Sequence, residues 1–110
     1  MGAETEMKGK VGSEALIYEI LSVVGEIPEG KVASYGQIAE LIGREKNSRL
    51  VGRVLSMSGL YGEYPCHRVV NHTGRLAPHF YDQKERLLAE GVSFRSNGYV
   101  DMKKHRWDGQ

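Results

Sequence analysis

The stretch from Lys31 to Met57, KVASYGQIAELIGREKNSRLVGRVLSM, holds two short apolar periodicities separated by a glycine, and its reading decides the fold. Lys31 to Tyr35 reads as extended chain. Ser34 is placed to cap a short helix from Gln37 to Ile42, which Gly43 ends. Asn47 or Ser48 opens a second helix through about Met57, with Leu50, Val51, Val54 and Leu55 as its apolar stripe. A short helix, a turn and a second helix bearing Arg49 and Arg53 form the helix-turn-helix pattern, whose second helix commonly enters a DNA groove. Two such helices also occur in bundles that never meet nucleic acid. The pattern therefore raises DNA binding without deciding it.

Working outward, residues 13–25 read as an amphipathic helix capped by Ser13, with Ala15, Leu16, Ile20, Val23 and Val24 at helical spacing; Pro28 and Gly30 stop it. Downstream, Ser58 to Pro65 is a loop rich in Gly and Tyr, and the compact run Pro65-Cys66-His67-Arg68-Val69-Val70 follows. Asn71 to Gly74 is a turn, Gln83 to Ala89 a helix closed by Gly91, and Val92 to Phe94 with Tyr99 to Met102 a β-hairpin around Ser96-Asn97-Gly98. These elements predict an α+β domain of winged-helix type, with one helix-turn-helix and small β elements. It spans residues 11–110, with residues 1–10 a flexible N-terminus.

Composition sets the outer limits. A chain of 110 residues that is 40% hydrophobic can build one compact core and not two ordinary domains. No run approaches the ~18 apolar residues of a membrane span, and the polar start lacks a signal-peptide core, so a soluble, cytoplasmic protein is expected. The formal charge of +1 excludes a polybasic tail or an acidic solvating chain. It hides a polarity: residues 1–43 carry three basic and seven acidic side chains, residues 44–75 six and two, and residues 76–110 six and five. Arg44, Lys46, Arg49, Arg53, Arg68 and Arg75 make the middle block either a footprint for phosphates or a solvated face.

The single cysteine, Cys66, excludes an internal disulfide and fits a reducing compartment. A nucleophilic thiolate needs a base or a positive field, and His67 and Arg68 follow directly. On an extended chain, neighbouring side chains point apart, so His67 reaches the sulfur through a water or a bend. Glu90, at the end of the late helix, can orient the imidazole. The competing reading is an inert core cysteine. Cys66, His67, His72 and His79 have no recurrent ligand spacing, so no metal site is expected.

The hexapeptide Pro65 to Val70 resembles the active-site motif of the O6-alkylguanine-DNA alkyltransferases, single-turnover DNA-repair proteins. Gly30 to Ala39 resembles the family's stretch leading into its helix-turn-helix, Ser48-Arg49-Leu50-Val51-Gly52 its recognition helix, and Leu87-Leu88-Ala89-Glu90-Gly91-Val92 its C-terminal motif. The resemblance implies that Cys66 accepts the alkyl group and that His67, oriented by Glu90, takes the thiol proton. It also implies that Tyr35 donates a hydrogen bond to the leaving guanine. Arg49 is implied as the finger inserted where a nucleotide is flipped out of the stack. Ser34, Tyr35, Ser48, Leu50, Gly52, Arg53 and Arg68 join Arg49 at the DNA. No metal or organic cofactor is implied, and one copy of the domain suffices, so a monomer acting on duplex DNA is expected.

Three departures complicate the match. The family carries Asn-Pro where this chain has Ser58-Gly59, and a glycine-rich loop where it has Leu76-Ala77-Pro78-His79-Phe80-Tyr81. Pro78 fixes φ and removes an N–H that such a loop could donate. Tyr99-Val100-Asp101 and Trp107 resemble the alkyltransferase-like proteins, a sister branch that binds O6-alkylguanine without repairing it and commonly has tryptophan in place of the cysteine. Two readings follow: transfer of the alkyl group to Cys66, or lesion binding that flags the site for nucleotide excision repair proteins.

Overall fold

The computed structural model describes residues 14–110. The expected Ser13 cap and the expectation of a flexible N-terminus over residues 1–10 fall outside the described residues. Helix α1 (Glu14–Gly25) buries Ile17, Ile20, Leu21 and Val24. The apolar face is thus turned from the predicted one: Ile17 and Leu21 are inside, Leu16 and Val23 are half-buried, and Ala15 is exposed. Strand β1 (Ala33–Ser34) runs directly into α2 (Tyr35–Leu41), and α3 (Ser48–Ser56) completes the helix-turn-helix. Ser34 starts α2 from extended backbone, its Oγ accepting the Gln37 N–H at 3.0 Å. Gly43 takes φ of 76°, the left-handed turn that lets the chain leave α2.

After α3 come single 3₁₀ turns at Ser58–Leu60 and Cys66–Arg68, then β2 (Val69–Val70), α4 (Gln83–Ala89) and α5 (Met102–His105). Strands β1 and β2 pair in parallel, Ala33 opposite Val69 and Ser34 opposite Val70. The pairing brings the entry to the helix-turn-helix alongside the segment that follows Cys66. The expected hairpin forms as a short one, with an antiparallel bridge from Phe94 to Val100, Arg95 N–H on Tyr99 O at 2.7 Å and Asp101 N–H on Ser93 O at 3.0 Å. On its outer edge Val100 gives its N–H to Gly74 O at 2.9 Å, and a β-carbon at Gly74 would collide with the Val100 carbonyl oxygen.

Two apolar clusters result. One joins α1, α2 and α3 through Ile20, Leu21, Val24, Ile38, Val51 and Val54, and includes Trp107 from the tail. Trp107 N–H donates to Val32 O and its carbonyl accepts from Gln37 Nε2, both at 2.7 Å, so the tail is fastened to the helix-turn-helix. The other cluster packs Val32, Val70, Leu87, Val92 and Val100. No helix among the described residues is long and apolar enough to cross a membrane.

Candidate functional site

Cys66 and His67 occupy a 3₁₀ turn, not the extended chain predicted for them. Pro65, with φ of −78°, presets the bend, and Arg68 N–H closes it on Pro65 O at 2.9 Å. Successive side chains in such a turn diverge by a third of a circle. Cys66 is half-buried and His67 is buried. The Cys66 Sγ lies 3.3 Å from Ser58 Oγ. Burial pushes the thiol up; the Ser58 hydrogen bond and the Arg86 charge pull it down without reversing that shift.

His67 Nε2 meets Glu90 Oε2 at 2.7 Å, and its Nδ1 is buried without a protein partner. Glu90 is thus within hydrogen-bond distance of the imidazole that it is expected to orient. The carboxylate also receives Arg68 Nε and Nη2, at 3.0 and 2.8 Å, and the N–H of Gly30 at 3.1 Å. Burial alone would raise the Glu90 pKa, but the hydrogen bonds from Arg68, His67 and Gly30 hold it at about 2. It is therefore a fixed anion at neutral pH, opposite the ring nitrogen of His67.

Tyr35 stands at the first turn of α2, half-buried. Burial raises its phenol and the neighbouring Cys66 adds to the shift, so the hydroxyl is a neutral donor. A β-carbon at Gly52 would stand 4.0 Å from Tyr35 Cε1, which places the ring against α3. Ser48, Arg49 and Arg53 are exposed on α3, and Leu50 is half-buried against the first cluster. Arg44 and Lys46 are exposed in the turn before it.

Two residues expected at DNA have other places. Ser34 is 6% exposed and its hydroxyl is engaged as the α2 cap. Arg68 is directed inward: besides Glu90 it donates from Nη1 to Ile27 O at 2.8 Å. Its guanidinium is held by internal acceptors instead of facing phosphates.

Gln83 was not legible as part of the site. Fully buried, it donates to His67 O and Val69 O at 3.0 Å and accepts from Ala77 N–H at 2.8 Å, fastening the Cys66–Arg68 turn to loop 76–81. In that loop His79 has φ of 67°, and its Nδ1 lies 3.3 Å from the hydroxyl of exposed Tyr81. Among the described residues, no three His, Cys, Asp or Glu side chains are grouped to hold a metal ion. Chemically, the arrangement offers a thiol, an imidazole held by a carboxylate, and a phenolic donor, beside a helix with exposed arginines.

Comparison with known proteins places this geometry. The DNA-binding domain of 6-O-methylguanine DNA methyltransferase, as a family, matches residues 16–92. A DNA base-flipping protein of Escherichia coli is 38% identical over 92 residues, which cover 81% of this chain and 71% of that protein. Alkyltransferase-like protein 1 of Schizosaccharomyces pombe is 35% identical over 79 residues, 67% of this chain and 73% of the relative. The crystal structure of S. pombe Atl1 with damaged DNA containing O6-carboxymethylguanine superposes with a TM-score of 0.77 at 28% identity, covering 87% of this chain and 97% of that one. With the motifs in order and the fold shared, the chain belongs to the family of the 6-O-methylguanine DNA methyltransferase DNA-binding domain.

Proposed function

We propose that this protein flips O6-alkylguanine out of duplex DNA and transfers the alkyl group irreversibly to Cys66. The observation that carries the reading is the Cys66, His67 and Glu90 set, with the carboxylate 2.7 Å from the imidazole. In the step, the thiol proton passes through a water to His67 Nδ1, and the ring's other nitrogen leans on the Glu90 anion. The sulfur then bonds the alkyl carbon as the carbon–O6 bond breaks. The electron pair left on guanine is met by a hydrogen bond from the neutral Tyr35 hydroxyl. Arg49 enters the stack in place of the flipped nucleotide, and Ser48, Leu50, Gly52 and Arg53 lie along the DNA with it.

A second reading, recognition without transfer, is favoured by one observation. The thiol is pushed up and pairs with Ser58, and neither His67 nitrogen is hydrogen-bonded to it. The names of the E. coli and S. pombe relatives also suit a protein that flips and holds the lesion. In that case nucleotide excision repair proteins become the partners, and Cys66 is a wall of the pocket.

Nucleoside analysis of the DNA separates the two. After incubation with an O6-methylguanine duplex, transfer restores one guanine per protein molecule and then stops. Tight lesion binding with the modified base fully recovered overturns transfer and establishes the second reading.

A further inference from the structure

Glu90 reaches His67 with one oxygen and the N–H of Gly30 with the other. Gly30 has φ of 87° and no side chain, so its own sterics hold it weakly. Its carbonyl oxygen is held by His105 Nδ1, at 3.1 Å. The other ring nitrogen of His105, Nε2, lies 3.0 Å from the Ser93 N–H and 2.9 Å from Ser93 Oγ. A backbone N–H can only donate, so Nε2 is the acceptor and the ring proton sits on Nδ1, aimed at Gly30 O. The tautomer is dictated by the fold. Residue 30 is thus clamped at both ends, by Glu90 on its N–H and by His105 on its carbonyl. His105 lies in α5, beyond the residues matched by the family.

We infer that His105 is a positioning residue: through Gly30 it sets the register of Glu90, and through Glu90 the aim of His67 at Cys66. The inference rests on the proposed transfer for its rate arm, and on the imidazole geometry alone for its spectroscopic arm. Substitution can separate the two ring nitrogens. In His105→Asn the amide nitrogen takes the place of Nδ1 and keeps the donor to Gly30 O. In His105→Gln the amide lies where Nε2 was, and that donor is lost. His105→Ala removes both.

The experiment measures three properties of the full-length protein and the three variants: single-turnover methyl transfer, affinity for an O6-methylguanine duplex, and the ¹⁵N and ¹H signals of the imidazoles. His105→Ala and His105→Gln are expected to slow transfer about tenfold, the effect of one net hydrogen bond. His105→Asn restores the rate to within about twofold of the parent. Lesion affinity stays level, and the His67 Nε2 proton signal moves in Ala and Gln but not in Asn. The parent His105 shows its proton on Nδ1. Equal behaviour of Asn and Gln, or an unmoved His67 signal in Gln, overturns the assignment. If the parent protein transfers nothing while the His67 signals follow the expected pattern, the positioning role stands and the transfer reading falls. Thermal melts accompany each variant, and the Asn and Gln pair decides the matter if Ala fails to fold.

Discussion

At the scale of single residues, reactivity turns on what surrounds one sulfur. Burial suppresses the Cys66 thiolate, and Ser58 is a group that opposes it by hydrogen bonding. Removing that bond in Ser58→Ala is expected to move the thiol further up. The rate of alkylation by iodoacetamide, followed against pH, should rise at higher pH than in the parent; a curve shifted to lower pH would contradict the assigned direction. The contact of His67 with Glu90 was legible in the sequence because each sits in a short local motif. Arg68 was not: its charge joined the basic block in the sequence, but its guanidinium bonds Glu90 and the Ile27 carbonyl, partners 22 and 41 residues distant. Only the fold brings such groups together, and Gln83 and His105 escaped for the same reason.

At the scale of elements, the helix-turn-helix was readable nearly to its ends, since caps and glycines act within a few residues. Ser34 Oγ holds the first turn of α2, so Ser34→Ala should lower stability by about 1 kcal/mol, read as a lower midpoint in a urea titration. An unchanged midpoint would show that the cap contributes nothing. Arg49 is exposed near the start of α3, and the proposed function gives it the flipping step. Arg49→Ala should abolish the preference for a lesion-bearing duplex over its undamaged twin, measured by fluorescence anisotropy, while preserving the fold by circular dichroism. Retained preference removes Arg49 from that role. The α1 face was misjudged because adjacent apolar positions offer two overlapping stripes, and only packing on α2 and α3 chooses between them. The hairpin was legible because the turn that closes it, Gly98 N–H to Arg95 O, is local, whereas the bond from the outward-facing Val100 N–H to Gly74 O is a long-range pairing no local pattern records.

At the scale of the whole molecule, the site is also the joint between the two apolar clusters. Ile27, in the first cluster, presents its carbonyl to Arg68, and Arg68 holds Glu90, which follows Leu87 of the second cluster. The Arg68 and Glu90 side chains are 16% and 11% exposed, so this is a partly desolvated pair and not a surface contact. Glu90 has its pKa lowered from 4.5 to about 2, and the pair's contribution is full above the unfolded value and lost as pH falls through the folded one. Stability should therefore decline between about pH 4.5 and pH 2 by on the order of 3 kcal/mol from this group. Denaturant titrations across that range should show a flatter acid limb in Glu90→Gln, and an identical limb would contradict the pairing.

The claim on which the rest depends is that Cys66 receives the alkyl group, and the mass of the intact protein tests it most directly. After incubation with excess O6-methylguanine duplex, the account predicts that each molecule gains a methyl group in place of the thiol proton. That gain should map to the peptide containing Cys66 and be absent in Cys66→Ala. A protein that binds the lesion tightly and leaves with its mass unchanged would contradict it.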